Sequence, residues 1–154
     1  MNKKLTKNTT TVRITYSTIL FAIIFSIISC TAYAQTFDFR DLPGDTSSWR
    51  EIDWSKYLSR QPATKGVPEY SLPDRSRVDI LTNEYAIEVE WLSKWPEAVG
   101  QSLYYAAMTG KKPKIIILKK PDDDIKKYLQ LQVVANKQNI KVEFLDIKKI
   151  RTSR

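Results

Sequence analysis

Histidine is absent from this sequence of 154 residues, and cysteine occurs once. Without histidine the chain has no Ser-His-Asp or Cys-His catalytic site, no His-ligated zinc and no imidazole general base. A single cysteine excludes an intrachain disulfide and a metal site built from a cysteine cluster. Any catalysis by this chain must therefore use carboxylates, amines, hydroxyls and a metal ion held by oxygen ligands.

Acidic residues are absent from positions 1–34, which carry four basic residues. Their apolar centre spans 19–28, and Ala32-Tyr33-Ala34 precedes Gln35. A basic start, a short apolar run and small residues two apart are typical of a secretory signal peptide. We expect residues 1–34 to be cleaved after Ala34, which makes the protein exported, periplasmic or secreted, with no stable membrane insertion after processing.

Two alternatives remain open for this segment. The uncharged stretch 14–37 is barely long enough to be an uncleaved membrane anchor. Ile27-Ile28-Ser29-Cys30 resembles a bacterial lipoprotein box, in which case Cys30 would carry lipid and become the first residue of the mature protein. Removing 1–34 takes away four basic residues and no acidic ones, so the formal net charge falls from +8 to +4.

The mature domain is predicted to begin with an irregular and helical segment at 35–66. Pro43-Gly44-Asp45 predicts a turn, and Ser47 or Ser48 is the expected cap of a short helix that ends near Leu58.

Residues 67–154 have the pattern of an α/β core. Strands are predicted, in chain order, at 67–72, 77–81, 85–91, 114–118 and 141–147, and helices at 96–109 and 122–139. The second helix is expected to be amphipathic, with Ile125, Leu129 and Val133 along one face. The order predicts a mixed β-sheet with helices on its faces, in which hairpin strands come first.

A predicted hairpin brings acidic side chains together on one face of this sheet. With Asn83-Glu84 as its tight turn, Asp79 lies opposite Glu88. Glu90 projects from the same face as Glu88, and Arg77 falls opposite Glu90. Like charges paired across strands destabilise a hairpin and raise carboxylate pKa values unless a cation compensates them. Oxygen-only ligands favour Mg²⁺, Mn²⁺ or Ca²⁺, so the pattern points to a divalent metal.

The alternative is a solvated sheet face with a surface ion pair between Arg77 and Glu90, because alternating charged and apolar residues are typical of any half-buried hairpin. A register shift of one residue would also separate Asp79 from Glu88. The apolar neighbours are expected to face the core together: Val78, Ile80, Ile87 and Val89.

The surrounding residues add a resemblance to a known family. They are, in chain order, Glu69, Asp79, Glu88-Val89-Glu90, Gln101 and Tyr105. This order resembles the PD-(D/E)xK nuclease superfamily, the restriction-endonuclease-like fold. Its metal motif is an Asp, a spacer across a hairpin and then (Asp/Glu)-x-Lys, and its exonuclease-like branches carry a Gln-x-x-x-Tyr helix after that motif. The resemblance covers the chain from Glu69 to Leu118.

The resemblance implies a metal site. Asp79 and Glu88, with the Val89 carbonyl, would hold one or two Mg²⁺ (or Mn²⁺) ions. Glu69 is the candidate for an additional acidic ligand, with Glu51 as its competitor.

The resemblance also implies roles for the residues around the metal. Glu90 stands where the family usually has Lys, a departure that some active restriction enzymes share. Lys94 is the candidate for the missing cation, and either Glu90 or Lys94 would orient or deprotonate the attacking water. Gln101 and Tyr105, one helical turn apart, and Arg77 would contact the substrate. For the helical pair the alternative is a polar edge beside a core tyrosine.

The implied function is an exported, metal-dependent nuclease acting on nucleic acid, with DNA as the expected substrate. Residues 110–154 hold thirteen basic and five acidic residues, a surplus that suits a polyanion or a solvated lysine surface. Its lysines include Lys111, Lys112, Lys114, Lys119, Lys120, Lys126 and Lys127. Trp91 and Trp95 are candidates for stacking on bases, with burial as the alternative.

Two other functions compete with this interpretation. One is a catalytically inactive nuclease-fold protein of the cell envelope that binds or acts as a scaffold, which the Glu at position 90 favours. The other is an exported α/β protein of unrelated function whose carboxylates are ordinary surface residues, because fold alone does not imply activity.

Overall fold

Five strands form one mixed sheet in the computed structural model, which describes residues 37–152; the predicted signal peptide and Cys30 lie outside that range. The strands are β1 (Val67–Ser71), β2 (Arg77–Leu81), β3 (Tyr85–Trp91), β4 (Lys112–Lys119) and β5 (Lys141–Asp146). They lie in chain order across the sheet. The pairs β1–β2 and β2–β3 are antiparallel, whereas the pairs β3–β4 and β4–β5 are parallel.

Helices flank this sheet. They are α1 (Glu51–Leu58), α2 (Trp95–Thr109), α3 (Ile125–Lys137) and α4 (Ile147–Thr152), with 3₁₀ turns at Pro62–Thr64 and Leu92–Lys94. The α/β class and the mixed sheet are therefore confirmed, and each predicted strand is present with its boundaries within two residues. Helix α4 was not predicted, because its six residues are too few to show a helical period.

The start of α1 differs from the prediction. The helix begins at Glu51, and the Asp53 carboxylate accepts the N–H of Arg50 at 3.0 Å. Ser47 instead donates its N–H to the Asp45 carboxylate at 2.8 Å. The predicted cap at Ser47 or Ser48 is wrong because Asp45 holds these residues in a preceding turn.

Both faces of the sheet are covered by apolar contacts. On one face Ile80, Ile87 and Val89 pack in a cluster with Trp54 and Leu58 of α1. The cluster on the other face joins the odd-numbered isoleucines of β4 to α2 and α3: Ile115, Ile117, Ala98, Leu131 and Ala135. This two-layer burial fixes β3 and β4 as the centre of the domain.

The packed side of α3 is not the stripe that the sequence analysis singled out. Ile125, Leu129 and Val133 are 50%, 59% and 60% exposed, whereas Leu131 and Ala135 are buried. The helix carries two apolar rows, and the row that contains Leu131 faces the sheet.

None of the helices within residues 37–152 combines the length and the apolar character that a membrane span needs.

A buried ion pair lies at the amino end of β4. Lys114 is only 2% exposed, and its Nζ lies 2.9 Å from Oε1 of Glu143 on β5. Lys141 Nζ approaches the same oxygen at 3.9 Å. Burial lowers the pKa of Lys114, and Glu143 counteracts that effect. Lys114 was expected among the lysines that suit a polyanion, but this interior position removes it from the surface.

The junction before β1 requires glycine. A Cβ on Gly66 would clash with the carbonyl oxygen of Leu81, whereas a Cβ on Gly100 of α2 would meet nothing within 4 Å. We expect Gly66→Ala to lower the free energy of unfolding by about 1–3 kcal/mol. Gly100→Ala, the matched control, should raise it by about 0.5–1 kcal/mol because alanine favours the helix. Urea unfolding followed by circular dichroism measures both, and equal stability of Gly66→Ala and wild type would contradict the close approach.

Candidate functional site

The hairpin formed by β2 and β3 has the predicted register. Ile80 pairs with Ile87, and Leu81 pairs with Ala86. At the next position the Asp79 carboxylate accepts the N–H of Val89 at 2.8 Å. The side chain of Asp79 therefore accepts a hydrogen bond from the main chain of β3, which holds Asp79 beside the middle of that strand.

The strand β2 changes its packing at Asp79. Ile80 packs under α1, but Val78 packs with Leu72 and Tyr105 in a separate cluster. The expectation that Val78 would face the same core as Ile80 is therefore wrong. Glu69, in the facing part of β1, has a φ of +53°, so the regular ladder is interrupted on both sides of this position. The irregularity lies next to the acidic residues that the sequence singled out.

Glu88 is the most deeply buried acid of the site, at 5% exposure. Its Oε2 has no hydrogen-bond partner among the described residues. Burial raises the pKa of Glu88 to about 10, and the charges of Asp79, Glu90, Glu69 and Glu51 raise it as well. A carboxyl group in this environment is protonated at neutral pH unless a cation replaces the proton.

Glu90 is also buried but has partners. Its Oε1 accepts the N–H of Trp91 at 2.8 Å, and its Oε2 lies 3.8 Å from Lys94 Nζ. The same ammonium lies 3.5 Å from Oε1 of Glu51. The structure therefore brings the predicted replacement cation, Lys94, to Glu90, and links both to the first turn of α1.

The pKa values of Glu90 and Glu51 move in opposite directions. Burial raises the pKa of Glu90 to about 6, while the Trp91 N–H and Lys94 oppose the rise. Burial also acts to raise the pKa of Glu51, but a backbone hydrogen bond and hydrogen bonds with Glu90 and Lys94 lower it overall. Glu90 is therefore the protonated partner when these two carboxyl groups share one proton.

Five acidic side chains interact at this place, and we call them the carboxylate cluster: Glu51, Glu69, Asp79, Glu88 and Glu90. Burial raises the pKa of Asp79 to about 7, the Val89 N–H lowers it, and the charges of Glu69, Glu90 and Glu51 raise it. Since α1 and three strands contribute to the cluster, both candidates for the additional acid, Glu69 and Glu51, belong to it.

Arg77 does not pair with Glu90, the partner that the predicted hairpin indicated. Its guanidinium lies 3.6 Å from Oε2 of Glu69, on the neighbouring strand β1. The surface ion pair between Arg77 and Glu90 is therefore replaced by one with Glu69, because Glu90 turns toward Trp91 and Lys94.

The two residues of the Gln-x-x-x-Tyr helix have different positions. Tyr105 is buried, and burial together with the charges of Glu88 and Asp79 raises the pKa of its phenol to about 12. Gln101, one turn earlier on α2, is exposed. The structure thus brings Tyr105 to the carboxylate cluster and leaves Gln101 at the solvent side of the helix.

The described residues contain no group of three or more carboxylate, cysteine or histidine side chains already arranged to hold one metal ion. Asp79 and Glu88 nevertheless fit a divalent cation chemically, since both offer carboxylate oxygens, one half-buried and one buried, and Glu88 Oε2 lacks a partner among the described residues. An ion there would be held by two carboxylates, with the Val89 carbonyl and water as the further oxygen ligands that Mg²⁺ accepts.

Several lysines of the basic half have protein partners. Lys112 lies 3.0 Å from Glu84, and Lys119 lies 4.0 Å from Asp146. Lys111 donates to the Asn83 carbonyl at 2.8 Å, and Lys120 lies over the ring of Trp91. Since Lys114 is also buried, many of the lysines that were expected to suit a polyanion contact other parts of the protein instead.

Comparison of this chain with known protein families, with curated proteins and with solved structures found no significant match in any of the three.

The ion pair between Glu51 and Lys94 was not predicted from the sequence. The sequence offered Glu51 as the alternative to Glu69 for the additional acidic ligand. It offered Lys94 only as the candidate for the cation missing at position 90. The available signal was the place of Glu51 in the first turn of a helix, where acids are favoured, but the packing of that helix against β3 was not readable from local pattern.

The raised carboxyl pKa values predict a pH dependence. Burial raises the pKa of Glu88 from 4.5 to about 10, so the contribution of Glu88 to folding stability is largest below pH 4.5 and falls as the pH rises above that value. In EDTA, we expect Glu88→Gln to be more stable than wild type at pH 8, with a smaller loss of stability between about pH 5 and pH 8. Thermal melting across that range measures the difference.

The matched control for this experiment is Glu97→Gln, which removes an exposed acid of α2. It should melt in parallel with wild type at each pH. A Glu88→Gln variant with the same pH slope as wild type would show that Glu88 is not held protonated by its surroundings.

Proposed function

We propose that this protein is an exported, metal-dependent nuclease with a restriction-endonuclease-like fold and a PD-(D/E)xK-like site. The observation that supports the proposal best is the pairing of a half-buried acid, Asp79, with a buried acid, Glu88, on adjacent strands, with one Glu88 oxygen left without a partner among the described residues. Burying acids beside one another is unfavourable unless a proton or a cation compensates them. A metal ion bound for hydrolysis would be such a cation.

Mg²⁺ or Mn²⁺ held by Asp79, Glu88 and the Val89 carbonyl would supply Lewis acidity and lower the pKa of water at the site. Charge balance supports the need for such an ion. The carboxylate cluster contains five acids, and Lys94 and Arg77 are its ion-pairing cations among the described residues. A phosphodiester, which is itself an anion, is repelled by this charge unless a divalent cation or protons neutralise it.

Glu90 and Lys94 are suited to proton transfer in this proposal. A carboxyl group with a pKa of about 6 is mostly ionised at neutral pH and is a stronger base than an ordinary glutamate, which favours general base catalysis. Glu90 would take the proton of the attacking water and keep it, because the pKa of Glu51, with which it shares a hydrogen bond, is lower. Lys94, close to both carboxylates, holds them in position and offsets the charge that remains.

The substrate would lie against α2 and the beginning of β2. Tyr105 is close enough to Glu88 and Asp79 for their charges to raise its pKa, so its phenol stays a hydrogen-bond donor at neutral pH. Arg77 is exposed and can exchange its contact with Glu69 for a phosphate. Gln101 would contact the strand from the solvent side of the same helix.

One feature favours a second candidate function, an inactive nuclease-fold protein that binds nucleic acid or acts as a scaffold in the cell envelope. Position 90 is occupied by Glu, where the family usually has Lys, and the nearest ammonium, that of Lys94, forms ion pairs with Glu51 and Glu90. A site that lacks the lysine at position 90 would keep metal or nucleic-acid binding but would not hydrolyse the substrate.

A cleavage assay tests the proposal. We expect the protein to degrade single-stranded or plasmid DNA with Mg²⁺ or Mn²⁺ and to be inactive in EDTA. Asp79→Asn and Glu88→Gln should each lower the cleavage rate by more than about a hundredfold, because each removes a negatively charged ligand of the ion. Gel assays of rate and calorimetric titration with Mn²⁺ measure the two effects.

The control for this assay is Glu97→Gln, which should cleave and bind Mn²⁺ as wild type does. Wild-type protein that binds Mn²⁺ or DNA without cleaving would replace the proposal by the inactive binding protein. Absence of metal and nucleic-acid binding would contradict both candidates.

Export has its own test. We expect the protein recovered from outside the cytoplasm to begin at Gln35, because cleavage follows the Ala-x-Ala pattern. Intact-mass and N-terminal peptide spectrometry measure this directly. A lipid-modified Cys30 as first residue would support the lipoprotein alternative instead, and an unprocessed N-terminus would contradict both.

A further inference from the structure

A cleft lies where the three parallel strands end. Its volume is about 220 Å³, and its lining includes Thr46, Ser47, Trp91, Lys120, Pro121 and Ile147. Trp91 is the last residue of β3, Lys120 directly follows β4, and Ile147 directly follows β5. We call this feature the Trp91 cleft.

We propose that the Trp91 cleft binds one unpaired nucleobase of the nucleic-acid strand that is cleaved at the carboxylate cluster. This inference rests on the proposed function and extends it to the substrate class, a single-stranded or flipped-out nucleotide. The cleft has space for more than one water-sized sphere, so it offers room for a small planar ring system. Trp91 is partly buried and supplies the aromatic face on which a base stacks.

Both walls of the cleft are fixed before a ligand enters. On one side Asp45 accepts the N–H of Ser47 at 2.8 Å, and Trp49 donates its N–H to the Thr46 carbonyl at 3.2 Å. These turn contacts hold the segment that carries the exposed Ser47. Its hydroxyl group can both donate and accept a hydrogen bond, so it suits the polar edge of a base.

The opposite wall is the loop after β4. Lys119 Nζ donates to the carbonyl of Lys120 at 2.9 Å, and the Asp123 carboxylate accepts the N–H of Lys120 at 2.8 Å. A wall tied at both ends loses little conformational entropy on binding, which favours affinity.

Lys120 links base binding to phosphate binding. Its ammonium lies 4.5 Å from the centroid of the Trp91 ring, a cation–π distance, and the residue is exposed. Asp122 also lines the cleft, so the lining has no net charge and suits a neutral base. A base that stacks on Trp91 displaces the Lys120 ammonium from the ring, and the long side chain can then pair with the phosphate of the same nucleotide.

The strand geometry explains the restriction to unpaired bases. Glu90 and Trp91 are consecutive residues of β3, and their side chains point to opposite faces of the sheet. A substrate that places its phosphate at Glu90 and its base at Trp91 must pass around the end of this strand. A base within a duplex is held by pairing and stacking and does not reach the cleft unless it is flipped out.

The test is ligand-observed NMR with dAMP, dCMP, deoxyadenosine and inorganic phosphate as probes, applied to the full-length chain in EDTA. We expect both nucleotides and the nucleoside to bind, and inorganic phosphate neither to bind nor to compete. Trp91→Leu should weaken nucleotide binding at least about tenfold, whereas Trp91→Phe, which keeps an aromatic face, should stay within about threefold of wild type. Trp95→Phe, on the opposite face of the sheet, is the matched control and should bind as wild type.

A second variant separates the role of Lys120 from that of Trp91. Lys120→Met should bind deoxyadenosine at least as well as wild type but lose the preference for dAMP over deoxyadenosine. Thermal melting checks that each variant is folded. Competition by inorganic phosphate, wild-type affinity of a folded Trp91→Leu variant, or an equal loss in Trp95→Phe would overturn the proposal.

Glu88→Gln distinguishes failure of this inference from failure of the nuclease proposal. We expect it to bind nucleotides like wild type and to lose cleavage. Nucleotide binding that needs Trp91 in a protein without nuclease activity would contradict the proposed function but keep the base site. Metal-dependent cleavage that needs Glu88, in a protein that binds none of the nucleotides, would overturn the base site alone.

Discussion

Burial of acidic side chains on β2 and β3 is the constraint on which the candidate site depends. Glu88 is buried and Asp79 is half-buried beside it, among other acidic side chains, where a charged carboxylate is unfavourable. The sheet can keep them only because they are protonated or neutralised by a cation. The pKa values, the ion pairs of Lys94 and the proposed metal dependence all follow from this one unfavourable burial.

The fold positions these acids through the change from antiparallel to parallel pairing at β3. On one side β3 pairs with the hairpin strand β2, and on the other with β4. The carboxylate cluster therefore gathers groups from the meander of β1, β2 and β3 and from α1, while the Trp91 cleft uses the carboxyl ends of the parallel strands. One strand thus borders both the carboxylate cluster and the Trp91 cleft through side chains on its opposite faces.

The sequence predicted what local pattern determines. The strands at 77–81 and 85–91 and the register that places Asp79 near Glu88 follow from alternation and a short turn, both of which are encoded locally. The partner of Arg77, the outward row of α3 and the interior position of Lys114 were missed, because each depends on which helix or strand packs beside the residue. Glu51 shows the same limit, since its contact with Lys94 requires α1 to lie against β3.

The pairing of Lys114 with Glu143 has a consequence for how this domain can change in evolution. Replacing either residue alone leaves an interior charge without its counterpart, whereas replacing both with apolar residues of similar volume removes the difficulty. Lys141 shares the same carboxylate and adds a third participant to this dependence. These positions should therefore covary among related sequences, and a lineage should lose the charges together rather than one at a time.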